Sequence, residues 1–569
     1  MAGSARQFNV ALEPTVDPAT SEEEFSRQDD AVAPAPATWP TTHHRPDVVI
    51  RKGLATLVNR TLTPHQALVT DLLFIRDALL ATGIDVWLIR GNDERPVIAI
   101  DVQNRDTVVR ALVAANADEP LYAKTVDGRR RPPLLVADGR LTDNPDAGIF
   151  RLYRPRIEPE GLLAYGASTA VELQFFRFEG ETIVWPVENS LTREILPANE
   201  VVPTTVEMYG HEWKTLRGMF DAQASDITFD IDMVFSWVDG NDPEFQKRRA
   251  ERMKDVVVGE GDDSEARFRQ IDELKYALRS VYLFAPWVRR IFIVTDSPKP
   301  SWLADHPAVT FVRSEEFFTD PAALPTHNSQ AVESQLQHIP GLSEHFLYSN
   351  DDMFFGRPVQ PGMFFSPGGI TKFIEAATRI GLGDNDSDRS GFENSARVNR
   401  RLLMERFGRL ITRHLEHAAT PLRKSVLLEL EQEFAEDFHR TQLSRFRSST
   451  DISVTNSLYH YYAQMTARAV QQENAKVAYV DTTSRAGLDM LPGLLKRRSQ
   501  DFFCLNDGSF PEVPAEERQE RVQDFLERYY GIPAPWEAEV ADAAGASPAG
   551  APAEPAGPAA PASPASAAE

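Results

Sequence analysis

Asn350, Asp351 and Asp352 close a short apolar run, His345-Phe346-Leu347-Tyr348-Ser349, and the chain turns apolar again at Met353. An amide and two adjacent carboxylates at such a point form a hard oxygen donor set, suited to Mg²⁺ or Mn²⁺ and through the metal to phosphate. Two other apolar runs end alike, residues 231–238 in Asp239-Gly240-Asn241-Asp242-Pro243 and residues 291–295 at Asp296. One acidic turn is ordinary, since sheet edges are polar; three point to a site. His417 carries an imidazole that titrates near working pH, as a general base requires. With His414 it makes a pair spaced like metal ligands one helical turn apart. It lacks the His-Glu-x-x-His pattern and a third ligand, so no zinc site is expected. Arg445 and Arg447 lie in a basic stretch able to grip phosphate with paired donors, against the commoner alternative of a solvated surface. His327-Asn328 precedes an apolar helical stretch and either turns N–H groups on an anion or simply caps the helix. Asn506-Asp507, after Phe502-Phe503-Cys504-Leu505, repeats the apolar-then-Asn-Asp theme.

The elements that must position these residues alternate. Strand-like 231–238 is followed by a helical stretch over 267–284, whose apolar face is Ile271, Leu274, Leu278, Val281 and Tyr282 and which Pro286 should close. Strands at 290–296 and 309–313, a helix carrying Val332, Leu336 and Ile339, and the strand ending at Asn350 come next. That order predicts an α/β fold with a Rossmann-like, mostly parallel sheet covered by helices, its acidic turns at the carboxyl edge. Beyond Phe373 the chain turns helical, with Leu427, Leu430, Phe434 and Phe438 on one face and a further helix over 453–468. Residues 1–45 and 533–569, rich in Ala and Pro and without sustained periodicity, read as disordered tails. Residues 46–202 read as a small α/β accessory domain, 203–228 as a linker and 229–532 as the catalytic domain.

A chain of 569 residues with 42% hydrophobic and 25% charged residues is an ordinary multidomain globular protein. Its net charge of −24, from 60 basic and 84 acidic residues, argues against nucleic acid as the main ligand. One cysteine, Cys504, rules out an internal disulfide and a cysteine-based zinc site. No apolar run is long enough to span a bilayer and no signal-peptide pattern opens the chain, so a cytoplasmic protein is expected, with room for peripheral association at the inner face of a membrane. No Gly-x-Gly-x-x-Gly or Walker loop is present; a bound nucleotide would be held by acids with a metal and by separate basic residues.

Four blocks in order resemble the conserved regions of the Stealth family. The first is Asp232-Met233-Val234-Phe235-Ser236-Trp237-Val238-Asp239-Gly240-Asn241-Asp242-Pro243. The second combines Asp272-Glu273-Leu274-Lys275-Tyr276-Ala277-Leu278-Arg279-Ser280, Ala285-Pro286-Trp287-Val288, His327-Asn328-Ser329-Gln330-Ala331-Val332-Glu333 and Tyr348-Ser349-Asn350-Asp351-Asp352. The third runs from His417 through Pro421-Leu422-Arg423-Lys424 to Phe446-Arg447, and the fourth is Phe502-Phe503-Cys504-Leu505-Asn506-Asp507. The resemblance covers about residues 229–510. It implies a sugar-1-phosphate transferase of capsular or exopolysaccharide synthesis, related to the animal N-acetylglucosamine-1-phosphotransferase. It also implies a nucleotide-sugar donor, such as a uridine-diphosphate sugar, a glycan acceptor and a divalent cation. Matched position by position, His417 and Arg447 fall on the family's active-site histidine and arginine, and Asn350, Asp351 and Asp352 in its acidic site. Thr420 stands where the animal relative has a second histidine. The expected roles are His417 as base, Arg447 and Arg279 on phosphate, Asp351 and Asp352 on metal, and Asp239, Asn241, His327, Asn328, Asn350, Asn506 and Asp507 around the substrate. Two rivals are a glycosyltransferase releasing a nucleoside diphosphate and a polysaccharide-binding protein without catalysis.

Overall fold

The computed structural model describes residues 45–538 except 130, 144–145, 162, 241, 244–246, 248–270 and 509–510. Of the expected tails at 1–45 and 533–569, residues 1–44 and 539–569 lie outside the described residues, as does Asn241.

The central sheet is built from the runs that the sequence marks as strands. β1 (Ile231–Ser236) enters it first, α1 (Glu273–Phe284) crosses over, and β2 (Ile291–Val294) and β3 (Val309–Val312) follow. A short helix α2 (Ser329–Glu333) leads to β4 (His345–Asn350) and then β5 (Met353–Phe355). The ribbon strand β6 (Glu375–Arg379), helix α3 (Gly391–Phe407) and ribbon strand β7 (Arg413–Leu415) precede β8 (Thr420–Arg423). The sheet order is β3-β2-β1-β4-β8. β1 to β4 run parallel, whereas β8 pairs antiparallel with β4. The fold is mixed α/β: three of the four pairings in this sheet are parallel, as expected of a mostly parallel core, and β8 adds one antiparallel edge strand. The reason is the chain's reversal through the β6–β7 ribbon, which returns β8 along β4 from the opposite direction. A second mixed sheet sets β5 against β10 (Phe502–Asn506), with β9 (Val477–Asp481) on its other side.

Both faces of the central sheet are covered, as continuous apolar strands require. Met233, Phe235, Ile291, Ile293 and Leu347 enter one core. Their neighbours Val234, Phe292, Val294, Phe346 and Tyr348 enter the other. The one acid within β1, Asp232, is buried but accepts from Arg289 Nε (2.8 Å) and from the Ser343 N–H (2.8 Å).

Residues 48–216 build a ten-stranded sheet and a four-stranded one with cores of their own. Two stretches depart from the sequence reading. Within the expected linker, Pro203–Met208 and His211–Leu216 form a hairpin that joins the large sheet. Its two-residue loop, Tyr209-Gly210, has φ of 54° and 71° at its two positions, the twist a tight hairpin favours. Within the expected C-terminal tail, Ala534 and Trp536 are buried and Glu537 bridges to Leu303.

The N-terminal part is clasped to the rest. Arg498 donates to the carbonyls of Gly161 (3.1 Å), Arg528 (3.0 Å) and Tyr529 (2.9 Å), its guanidinium 4.1 Å over the Tyr529 ring. A Cβ at Gly161 would stand 1.4 Å from the Arg528 carbonyl oxygen, so only glycine fits that contact.

Candidate functional site

Because β1, β2 and β4 are parallel, their three acidic turns leave the sheet at one edge. Ser236 and Asn350 are register partners at that edge, and the Tyr348 hydroxyl donates to Asn350 Oδ1 at 3.2 Å. The loops there are cross-tied: the Asp239 N–H donates to Ser297 Oγ (2.8 Å), and Asp296 accepts from the Ser314 N–H (2.9 Å). Asp296 thereby holds its own loop.

Four acids converge behind Asn350. Asp352 is buried; its Oδ2 lies 3.6 Å from Cys504 Sγ, and its carbonyl accepts from the Leu505 N–H at 2.9 Å. Burial, with Asp507 and Glu273 nearby, pushes its carboxyl up to about 7. Glu273, the first residue of α1, is pushed up to about 8 by burial and then by Asp351; its Oε2 accepts from the Ile271 N–H at 2.6 Å. Asp507 accepts from Thr482 Oγ1 (2.8 Å) and pairs with buried Arg518. Asn506 engages the Tyr479 hydroxyl. Asp352 Oδ1 is buried without a hydrogen-bond partner. Among the described residues no three His, Cys, Asp or Glu side chains form a ready-made metal cage.

His417 lies in the bend between β7 and the antiparallel strand β8. The β4–β8 ladder runs from His345↔Arg423 to Tyr348↔Thr420, and His417 precedes the first residue of β8 by three positions. The ring of Tyr479 links the two sides. It lies 5.2 Å from the His417 ring, edge-on, and feels the charge of Asp352. Burial, with His414 beside it, pulls the His417 imidazole below its ordinary value, so it is neutral at neutral pH. His414 is on β7, a strand, so the two histidines do not share a helix face; it stacks on Phe392 at 4.7 Å.

Arg447 completes the edge. Its Nη2 donates to Ser329 Oγ at 3.0 Å, and its charge acts on both Glu333 and Tyr348. Gly391 lets it pass: a Cβ there would stand 2.8 Å from Arg447 Cβ. The residues expected to meet substrate beside α2, His327 and Asn328, contact the segment that leads to this arginine. The His327 N–H donates to the Arg445 carbonyl (2.8 Å), and its ring stacks on Phe446 at 5.3 Å. Asn328 caps α2 by accepting from the Gln330 N–H (3.1 Å), and its amide donates to Asp451 (2.8 Å) and the Ser444 carbonyl (3.0 Å). Asn328 is thus a cap and cross-link.

Arg279, expected on phosphate, lies in an ion pair. Its Nε and Nη2 grip the two carboxylate oxygens of Glu537 at 2.6 Å each, and Nη1 donates to the Tyr530 carbonyl at 2.7 Å. Those contacts tie α1 to the C-terminal segment. Glu273 is the residue that sequence reasoning missed. Its signal was positional: with Ala277, Val281 and Phe284 it makes one buried stripe of α1, and an acid on an apolar stripe needs a reason.

The comparisons fall on these elements. Models of the Stealth protein conserved regions match this chain: region 1 at residues 229–256, region 2 at 267–373, region 3 at 416–464 and region 4 at 492–548. The exopolysaccharide phosphotransferase CpsY of Mycobacterium leprae is 65% identical, over 87% of this chain and 92% of that protein. CpsY of Mycobacterium tuberculosis H37Rv is 63% identical, over 88% and 94%. An exopolysaccharide phosphotransferase of Nocardia farcinica is 54% identical, over 85% and 90%. Among solved structures, the galactosyltransferase LgtC, in complex with donor and acceptor sugar analogs, is 11% identical over 53% of this chain and 96% of that one, with a TM-score of 0.27.

Proposed function

The chain belongs to the Stealth family and is a phosphotransferase of exopolysaccharide synthesis, and from that premise we propose that it moves an N-acetylhexosamine-1-phosphate from a uridine-diphosphate sugar to a glycan hydroxyl. The observation that carries the reading is the Tyr479 ring, which stands edge-on to the neutral His417 imidazole at 5.2 Å and feels the charge of Asp352.

The acceptor hydroxyl attacks the sugar-proximal phosphorus, and its proton passes to His417, which burial keeps unprotonated. The phosphorus–oxygen bond to the nucleoside monophosphate breaks, and that group leaves with the electron pair. Arg447, fixed by Ser329, offers paired donors to the phosphate oxygens while charge shifts among them. Asn350, Asp239, Asn506 and Asp507 surround the donor. Glu273, neutral at pH 7, adds no further negative charge beside a phosphate. A divalent cation, Mg²⁺ or Mn²⁺, fits Asp351 and Asp352: the donors are hard oxygens, and Asp352 Oδ1 is buried without a partner. When bound it neutralises diphosphate charge.

The released nucleotide is the test. Turnover of a uridine-diphosphate sugar should yield the monophosphate and leave hexose-1-phosphate on the acceptor. Release of the diphosphate would make the protein a glycosyltransferase, and a silent assay with intact donor binding would favour the polysaccharide-binding reading.

A further inference from the structure

Of the described aromatic side chains, Phe178 and Tyr479 stand furthest out of the fold, 50% and 45% exposed. Phe178 lies on a strand of the N-terminal part, whereas Tyr479 stands at the candidate site. Alternation along β9 sets its direction: Val480 is fully buried in the core, so Tyr479 turns out of it. The ladder sets its company. Tyr479 is the register partner of Cys504 on β10, Cys504 that of Met353 on β5, and Asp481 that of Asn506.

A half-exposed tyrosine on a strand is ordinary in itself, since aromatics suit strands and single exposed apolar side chains are common. This one is held. Asn506 engages its hydroxyl, Asp352 and Asp481 act on it, and its ring stands edge-on to the His417 imidazole with 5.2 Å between centroids. A side chain tied at its tip and packed against the base keeps one orientation, yet nearly half of it stays open to a ligand. Tyr479 also falls between the matched regions at residues 416–464 and 492–548, outside the shared motifs.

Transfer chemistry fixes what should meet that ring. In an in-line displacement the attacking and leaving oxygens lie on one line through phosphorus. The attacking end is at His417, and the diphosphate lies toward Asp351 and Asp352. The hexose hangs from the same phosphorus through a third oxygen, so it projects sideways from the line. Tyr479 touches the imidazole at one end and feels Asp352 at the other, which sets it beside the line. A pyranose suits an aromatic face: its ring C–H bonds are slightly positive, the π face is slightly negative, and both surfaces leave water together.

We propose that Tyr479 is the platform for the hexose of the donor, taking the apolar face of the pyranose while the sugar stays bonded to the transferred phosphorus. It rests on the phosphotransfer reading and adds the residue that recognises a sugar on the nucleotide. A tryptophan or phenylalanine would serve at this position; a leucine of similar bulk, without a π face, would not.

Titration calorimetry of the full chain, with Mg²⁺ present, tests it with two probes, uridine-diphosphate N-acetylglucosamine and uridine diphosphate. Tyr479→Leu should weaken the sugar nucleotide roughly tenfold and leave uridine diphosphate unchanged, a sugar-specific loss that a merely structural role would not produce. Tyr479→Phe and Tyr479→Trp should keep both affinities. In the wild type, which needs no variant to fold, magnetisation saturated on the protein's aromatic protons should pass to the hexose ring protons of the bound sugar nucleotide. Equal losses for both probes in Tyr479→Leu, an unaltered affinity for the sugar nucleotide, or hexose protons that receive no saturation while uridine protons do, would overturn the platform. The reaction fails separately: release of the diphosphate in turnover, with the sugar-specific loss still present in Tyr479→Leu, would keep the platform and remove the phosphotransfer. A wild type that binds neither probe would overturn both.

Discussion

Glu537→Gln is the perturbation that best separates a structural from a catalytic reading of Arg279. Its carboxylate is 9% exposed and faces a guanidinium 10% exposed. It also accepts from the Ala534 N–H (2.8 Å), and Lys275 stands 3.8 Å away. Removing one charge of such a buried pair leaves the other uncompensated, a loss of about 3–5 kcal/mol. At roughly 2.1 cal/mol/K per residue over the roughly 460 described residues, the unfolding entropy is about 1 kcal/mol/K, so Tm should fall by about 4 °C. Differential scanning fluorimetry reads the shift, and donor titration on the same samples reads the site. The expected result is a lowered Tm with unchanged donor KM. Truncation after Ile532, which also removes buried Trp536, should lower Tm further, whereas truncation after Ala538 should move it by less than ~1 °C. A Glu537→Gln enzyme with unaltered Tm and weakened donor binding would refute the reasoning and return Arg279 to the phosphate.

His417→Ala should lower kcat by roughly 10²–10⁴ with donor affinity kept, because proton transfer is felt only in the transition state; Arg447→Ala should also raise donor KM, since the donor carries phosphate charge from the start. Unchanged kcat in the first variant would remove the imidazole from the chemistry. Asp352→Ala should leave a folded protein without turnover, and full activity in that variant or in excess chelator would dismiss the metal. His460 is fully buried, held down to about 3, with Nε2 against the Thr455 carbonyl (3.1 Å) and Nδ1 without a partner. Its folded value lies below the unfolded 6.5, so the unfolded state binds the extra proton between those values. Stability should therefore fall as pH drops from 6.5 toward 3, by about 5 kcal/mol from this group. Denaturant midpoints across that range should flatten in His460→Gln, and an unchanged slope would count against it.

What the sequence discloses here is whatever a short window can carry. β1, β2 and β4 are legible because strands buried on both faces must be apolar throughout, and the acids that end them mark the edge by abrupt contrast. The Tyr209-Gly210 hairpin is legible in principle, since the β-branched residues Thr204, Thr205 and Val206 come just before a glycine-containing turn that wants positive φ. Arg279 was not. Its partner lies 258 residues away, in a stretch whose composition resembles a tail, and no local pattern reports an ion pair across that distance. Asn328 was ambiguous for a different reason: capping a helix and meeting a ligand call for the same residue type at the same place. The direction of β8 depends on how the intervening ribbon folds back, and a sequence of alternating elements reads equally well either way.

The clasp at Arg498 sets a timetable for biosynthesis. The carbonyl it grips at Gly161 precedes it by 337 residues, and the other two it holds lie later still. At roughly 5–20 residues per second, the N-terminal sheets leave the ribosome about 20–70 s before their seat exists. During that interval the surface around Gly161 has nothing to rest on, and burial of the last helix closes the assembly. Chains released early would thus keep that surface bare, which makes the segment around Gly161 the place where a nascent-chain chaperone has most to protect.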